Sequence, residues 1–198
     1  MQMKHALLSI GLLISNQSLA AQWTFDESHS AATFTVKHMM VTNVMGQVKG
    51  IKGTIDIDDK DLTKSKVDVT LDIATINTQN EKRDNHLRSP DFFDTQKFPV
   101  IKFVSTKVVK TADGLKVTGD LTIRGTTKQV DLNVDGPTAE VKDPWGKKKR
   151  GFSATTKINR KDFGVSWNKT LDGGGIMVGD DVKISIDAEL EEAKAEKK

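Results

Sequence analysis

The sequence predicts an all-β domain of antiparallel strands, and three features carry that prediction. Apolar residues recur at every second position in segment after segment. Turn residues separate the later segments at hairpin spacing, and helical signals gather in one short stretch near the middle of the chain.

In chain order, the first alternating set is Ala32, Phe34 and Val36, and the second is Ile51, Ile55 and Ile57. Lys66 to Ile73, KVDVTLDI, shows the pattern most plainly. Val67, Val69, Leu71 and Ile73 fall on one face and Asp68, Thr70 and Asp72 on the other, as a half-buried strand requires. Ile101 and Phe103 continue the series, followed by Leu115, Val117, Leu121 and Ile123, and then Val130, Leu132 and Val134. Phe152, Ala154 and Ile158 form the seventh set, and Val182, Ile184, Ile186, Ala188 and Leu190 the eighth. Asp113-Gly114, Gly125-Thr126-Thr127 and Asp135-Gly136-Pro137 supply tight connections, so most neighbours in sequence should pair antiparallel. Gly46, Gly50, Gly53 and Gly119 suit bulges and sharp coiling. Such a set can pack as two sheets or close into a barrel, and closure removes the edges that invite aggregation. Periodicity alone leaves both open.

A length of 198 residues with 36% hydrophobic content allows one domain with a sizeable core. Its extreme N-terminus lies outside that domain. Lys4 and His5 precede the apolar run ALLSIGLLI, and Ser18-Leu19-Ala20 places small residues at the minus-three and minus-one positions of a cleavage site. Residues 1–20 therefore read as a secretory signal peptide, since the run is far below the roughly 20 residues of a spanning helix. The expected product is a periplasmic or secreted domain over 21–190 with a charged, flexible tail over 191–198. Cysteine is absent, which excludes disulfides, thiolate metal sites and thiol catalysis. Removing the signal takes away only Lys4 among the charged residues, so 30 basic and 27 acidic become 29 and 27. That balance gives no support to nucleic acid as a partner.

The helical stretch is Thr78 to Asp94, TQNEKRDNHLRSPDFFD. Thr78 with Glu81 reads as a capping box, Arg88 suits a helix C-terminus and Pro90 stops the helix. Leu87 is its one large apolar residue, so Phe92 and Phe93 are expected to pin it, one closing an end of the strand assembly and the other packing beneath the helix. Arg83, Asp84, His86 and Arg88 read in two ways. They form an ion-paired surface, with Asp84 bound to an arginine, or Arg83, His86 and Arg88 receive a phosphate or carboxylate head group.

Other constellations point away from catalysis. His29, His38 and His86 lie in separate elements without zinc-site spacing, and Ser28, Ser30 and Ser166 have no nucleophile-elbow context. Asp172-Gly173-Gly174-Gly175 lacks the GK[ST] of a phosphate loop and reads as a rim loop. No cofactor, metal or enzyme motif is expected. Lys147-Lys148-Lys149-Arg150, beside Trp145, is either a solubility device or a transient contact with anionic membrane surface.

WTFDESHSAATFTVKHMMVTNVMGQVKG, TQNEKRDNHLRSPDFFD, FPVIKFVST, VTGDLTIRGTTKQV and INRKDFGVSW occur in order along the chain. Together they resemble the successive motifs of the YceI-like family of polyisoprenoid-binding, exported proteins. The resemblance implies an eight-stranded antiparallel lipocalin-like barrel with one inserted helix. It also implies a long isoprenoid or fatty acyl lipid in the lumen, held for transport, storage or sequestration, and allows a homodimer. Combined with the registers, it makes Phe34, Val36, Val69, Leu71, Phe103, Leu121, Ile123, Phe152 and Ile184 the expected lumen lining. Phe92, Phe93, Arg83, His86 and Arg88 become the expected lid contacts. A non-catalytic interaction protein with a packed core is the alternative, and an enzyme acting on an isoprenoid the weaker one.

Overall fold

A computed structural model describes residues 20–193. Residues 1–19 of the expected signal peptide, and the expected tail beyond Ala193, lie outside the described residues. The chain forms β1 (Ala21–Phe25), β2 (Ala31–His38), β3 (Thr42–Val48), β4 (Ile51–Ile57), β5 (Lys66–Asp72), α1 (Glu81–Arg88) and β6 (Val100–Thr111). There follow β7 (Gly114–Ile123), β8 (Thr126–Asp135), β9 (Val141–Lys142), β10 (Lys148–Asn159) and β11 (Val178–Glu192).

Pairing runs β11–β1–β4–β5–β6–β7–β8–β10, and β10 pairs back onto β11, so eight antiparallel strands close a barrel. Two wall positions are spliced from two strands each. Along one edge of β11, β1 covers Leu190 to Glu192 and β2 covers Val178 to Asp187. β4 pairs with β1, and β3 pairs with β2. At the first splice the Ser30 hydroxyl donates to the Glu189 carbonyl and accepts from the Glu189 N–H, so the backbone there stays satisfied across the gap.

Each of the eight alternating sets lies on a strand of this wall, save that Ile73 falls just past β5 in a 3-10 turn, and β1, β3 and the short β9 are additional. β3 hides because Gly46 takes an inward position between Val44 and Val48. The ring of Phe34, its cross-strand partner, occupies the space a side chain would fill. β11 also runs to Glu192, so Glu191 and Glu192 belong to the wall and not to a tail.

The turns follow the expected chemistry. Arg124 and Gly125 both have left-handed φ, 49° and 73°, as a two-residue hairpin loop between twisted strands demands. The helix start differs from expectation. Asn80, not Thr78, is the N-cap, its side chain accepting from the Arg83 N–H. Thr78 is buried and donates both its N–H (2.9 Å) and its hydroxyl to Asp84.

Candidate functional site

The inward faces enclose an axial cavity of about 260 Å³ whose accessible wall is apolar. Phe34, Val36, Val69, Leu71, Phe103, Leu121, Ile123, Phe152 and Ile184 all line it, as do Phe92 and Phe93. The registers explain why: Phe103 pairs with both Val69 and Leu121, Leu71 with Ile101, and Ile184 with Phe34, so each cross-strand pair puts two apolar side chains on the inner face.

The two ends are closed differently. Where β4 ends and β5 begins, Trp23, Ile55, Ile57 and Leu190 pack with Phe25 and Phe152 and fill the barrel, the two phenylalanines meeting edge to face at 6.4 Å. At the other end α1 and the turn after it form a cover. Phe92 and Phe93 lie in that turn and not in extended chain, with Phe92 N–H donating to Ser89 C=O and Phe93 N–H to Leu87 C=O. Both rings reach the cavity wall, and Phe92 in addition packs against the helix. Phe92, 6% exposed, also meets the His86 ring at 5.0 Å and Trp167 at 5.2 Å.

The cover is bolted down by Arg124 at the β7–β8 turn, which donates to Pro90 C=O at 2.6 Å and to Gly164 C=O. Arg160 fastens the next segment. Its guanidinium, 6% exposed, donates to the carbonyls of Gly179 (2.9 Å), Val165 (2.6 Å), Trp167 (2.9 Å) and Val178 (3.3 Å), and to Asp180 (3.4 Å). Burial depresses its pKa, and Asp180 opposes that. Arg160 is the charged residue that reaches the cavity wall, yet its donors are committed to backbone. Neither arginine was legible as a fastener, because the carbonyls they hold are brought to them only by the tertiary fold.

Arg83, His86 and Arg88 do not line the cavity. Arg83 donates to the Thr78 hydroxyl and carbonyl, at 2.8 and 2.9 Å. Arg88 donates to the carbonyls of Ala74 and Ile76 and to Asn85, and His86 Nε2 lies 2.8 Å from Asp91. These groups brace the cover; the structure does not gather them as a head-group receptor. Asp84 likewise serves Thr78, with no arginine ion pair among the described residues.

Two further clusters resemble chemistry and lack its geometry. Ser28, His29 and Asp26 are adjacent, but the Ser28 hydroxyl donates to Asp26 at 2.6 Å, and His29 Nδ1 faces both partners at 3.1 Å. A nucleophilic relay needs opposite ring nitrogens. Asp26, His29 and Glu189 could surround a cation, but the Lys149 ammonium is already there, 2.9 Å from Asp26, 2.8 Å from Glu189 and 2.6 Å from Glu191. The whole basic run is similarly engaged: Lys147 by Glu191, Lys148 by Glu140 and Glu192, and Arg150 by Asp59.

Comparison with known proteins matches this architecture. A UPF0312 protein of Staphylococcus aureus (strain MSSA476) is 38% identical over 168 residues, covering 85% of this chain and 96% of that protein. A UPF0312 protein of Photorhabdus laumondii is 41% identical over 160 residues, covering 79% and 83%. Among solved structures, the Campylobacter jejuni YCEI protein aligns with TM-score 0.64 at 36% identity, over 80% of this chain and 90% of that one. A polyisoprenoid binding domain from Saccharophagus degradans, implicated in plant cell wall breakdown, shares the fold with TM-score 0.62 at 14% identity, over 89% and 100%. The model of the YceI-like domain matches residues 23–190, so the chain belongs to the YceI-like family.

Proposed function

We propose that this protein is an exported, non-catalytic carrier that holds one long apolar chain, a polyisoprenoid, an isoprenoid quinone or a fatty acyl lipid, along the barrel axis. The observation that carries the reading is the cavity itself: an apolar wall runs the length of the barrel between a filled end and a fastened cover. Each methylene taken from water contributes about 0.8 kcal/mol, so ten of them supply on the order of 8 kcal/mol before association costs. Among the described residues no polar atom reaches the accessible wall to fix a polar group, so selection acts on the width and length of the chain, and a charged head group stays outside. The described polyisoprenoid binding by the Saccharophagus degradans domain of the same fold supports this ligand class. Export follows from the signal-like residues 1–20.

Organic extraction of the purified protein followed by mass spectrometry tests the ligand; the expected result is a stoichiometric long-chain lipid. Recovery of lipid-free protein whose unfolding is unmoved by added lipid would favour an interaction protein instead. N-terminal sequencing is expected to begin at Ala21, and an intact Met1 recovered from the cell envelope fraction would refute export with cleavage.

A further inference from the structure

The β2–β3 hairpin ends in His38-Met39-Met40-Val41-Thr42, and its side chains are turned outward. Met39 is 41% exposed, Met40 62%, Val41 81% and the following Met45 69%. Met39 and Met40 occupy the two turn positions with φ of 51° and 59°, where asparagine and glycine are favoured. Large apolar side chains therefore sit at the tip in a backbone conformation that disfavours them. The tip is not a loose loop. Val41 N–H donates to His38 C=O at 3.0 Å, Met39 N–H to Met177 C=O at 2.8 Å, and Met177 N–H to Lys169 C=O at 3.0 Å, so the hairpin and the rim segment beside it form one projection.

Its charge matches its apolarity. Lys37 and Lys169 form no ion pair among the described residues, whereas Lys147 to Arg150 at the opposite end are all neutralised by carboxylates. Asp180 and Asp181 at the base are engaged by Arg160, Lys161 and Lys157, leaving Asp172 as the acid of the adjoining rim loop. The base also reaches the lumen: Val36 and Val178 line the cavity, and Val178 pairs with His38.

We propose that this hairpin tip is a docking finger for a lipid bilayer with anionic head groups, Met39, Met40, Val41 and Met45 entering the interfacial layer while Lys37 and Lys169 meet the head groups. Docking sets the covered end of the lumen against the membrane. The inference deepens the carrier reading and rests on it for its purpose, though not for its measurement.

The test is flotation of the purified protein with vesicles of phosphatidylglycerol and phosphatidylcholine, and with phosphatidylcholine alone. The parent should float with the anionic vesicles, less so at high salt. Met39→Asn with Met40→Asn keeps a residue type that tolerates the left-handed turn, so the barrel should melt no lower than the parent while flotation is lost. Lys37→Ala and Lys169→Ala should each weaken flotation about fivefold, the equivalent of about 1 kcal/mol per lysine near an anionic surface. Equal flotation of parent and double variant overturns the proposal. So does a parent that ignores vesicles but sediments as a dimer that the double variant dissolves, because the finger then meets a second copy. Extraction of lumen lipid from the same preparations separates the two readings. Lipid present without flotation removes the finger and leaves the carrier; tip-dependent flotation without lumen lipid does the reverse.

Discussion

Gly46 and Gly119 each face an aromatic ring where another residue would carry its Cβ. On Gly46 that atom would lie 2.5 Å from Phe34 Cζ, and on Gly119 it would collide with Phe103. Neither glycine has a left-handed φ, so the requirement is for space and not for backbone freedom. Gly46→Ala should cost about 1–3 kcal/mol by overpacking and push Phe34 into the lumen. Urea unfolding and lipid retention should therefore fall together, and an alanine variant indistinguishable from the parent would show the ring free to move. Lys149 makes the opposite demand, for charge. The Ser28 hydroxyl first, then Lys149 and His29, hold the Asp26 carboxyl well below its ordinary range, and Lys149 with Lys147 does the same for Glu191. Burial pulls the Lys149 ammonium down, but the three carboxylates together raise it. Depressed carboxyls stabilise above their unfolded pKa values, near 4, and lose that contribution as pH falls through the folded ones; the raised ammonium stabilises below about 10.5. The network's contribution is thus full from about pH 5 to 10 and fades in acid. Lys149→Met should lower stability at pH 7 and move the acid limb of the unfolding curve to higher pH, read by circular dichroism.

At the scale of elements, the cover depends on stacking more than on its own helix, which has one large apolar residue. Phe92→Ala removes contacts with His86 and Trp167 from a buried site and should cost about 3–5 kcal/mol of stability. Phe93, only partly buried and on the cavity wall, should when changed to alanine chiefly shorten lipid retention. Equal effects of the two variants on both measurements would refute that assignment. Much of the element plan was legible, because the alternating sets are local facts of sequence. KVDVTLDI declares its inner face within eight residues. β3 was not legible, since Gly46 breaks the alternation and only Phe34 from β2 restores it. The cap was misread for a related reason: Thr78 with Glu81 fits a capping box locally, but Asp84 captures Thr78 and leaves Asn80 to start the helix. The bracing role of Arg88 was hidden likewise, because the carbonyls of Ala74 and Ile76 that occupy it come from the turn after β5.

At the scale of the molecule, the barrel is a wall around an apolar space, which in the proposed function a guest chain fills. A ligand bound only by the folded state at a hundredfold excess over Kd adds about 2.7 kcal/mol, or roughly 5–10 °C in Tm for a chain of this size. Delipidated protein should therefore melt that much lower than protein reloaded with its extracted lipid, and a calorimetric scan showing no difference would mean that the lumen is not where lipid binds. The cavity lining was legible as a set of inner faces, while the fasteners at the ends were not. The smoothness of the wall has one more consequence. With no polar atom of the described residues on the accessible wall to catch it, a chain held as proposed would slip lengthwise like a rod in a greased sleeve until it met a closed end. Residence time then belongs to the sleeve and not to the rod. In the proposed carrier, chains differing by several methylenes should therefore differ in how strongly they are held yet leave at one pace, set by how fast Arg124 lets go of Pro90 and Gly164.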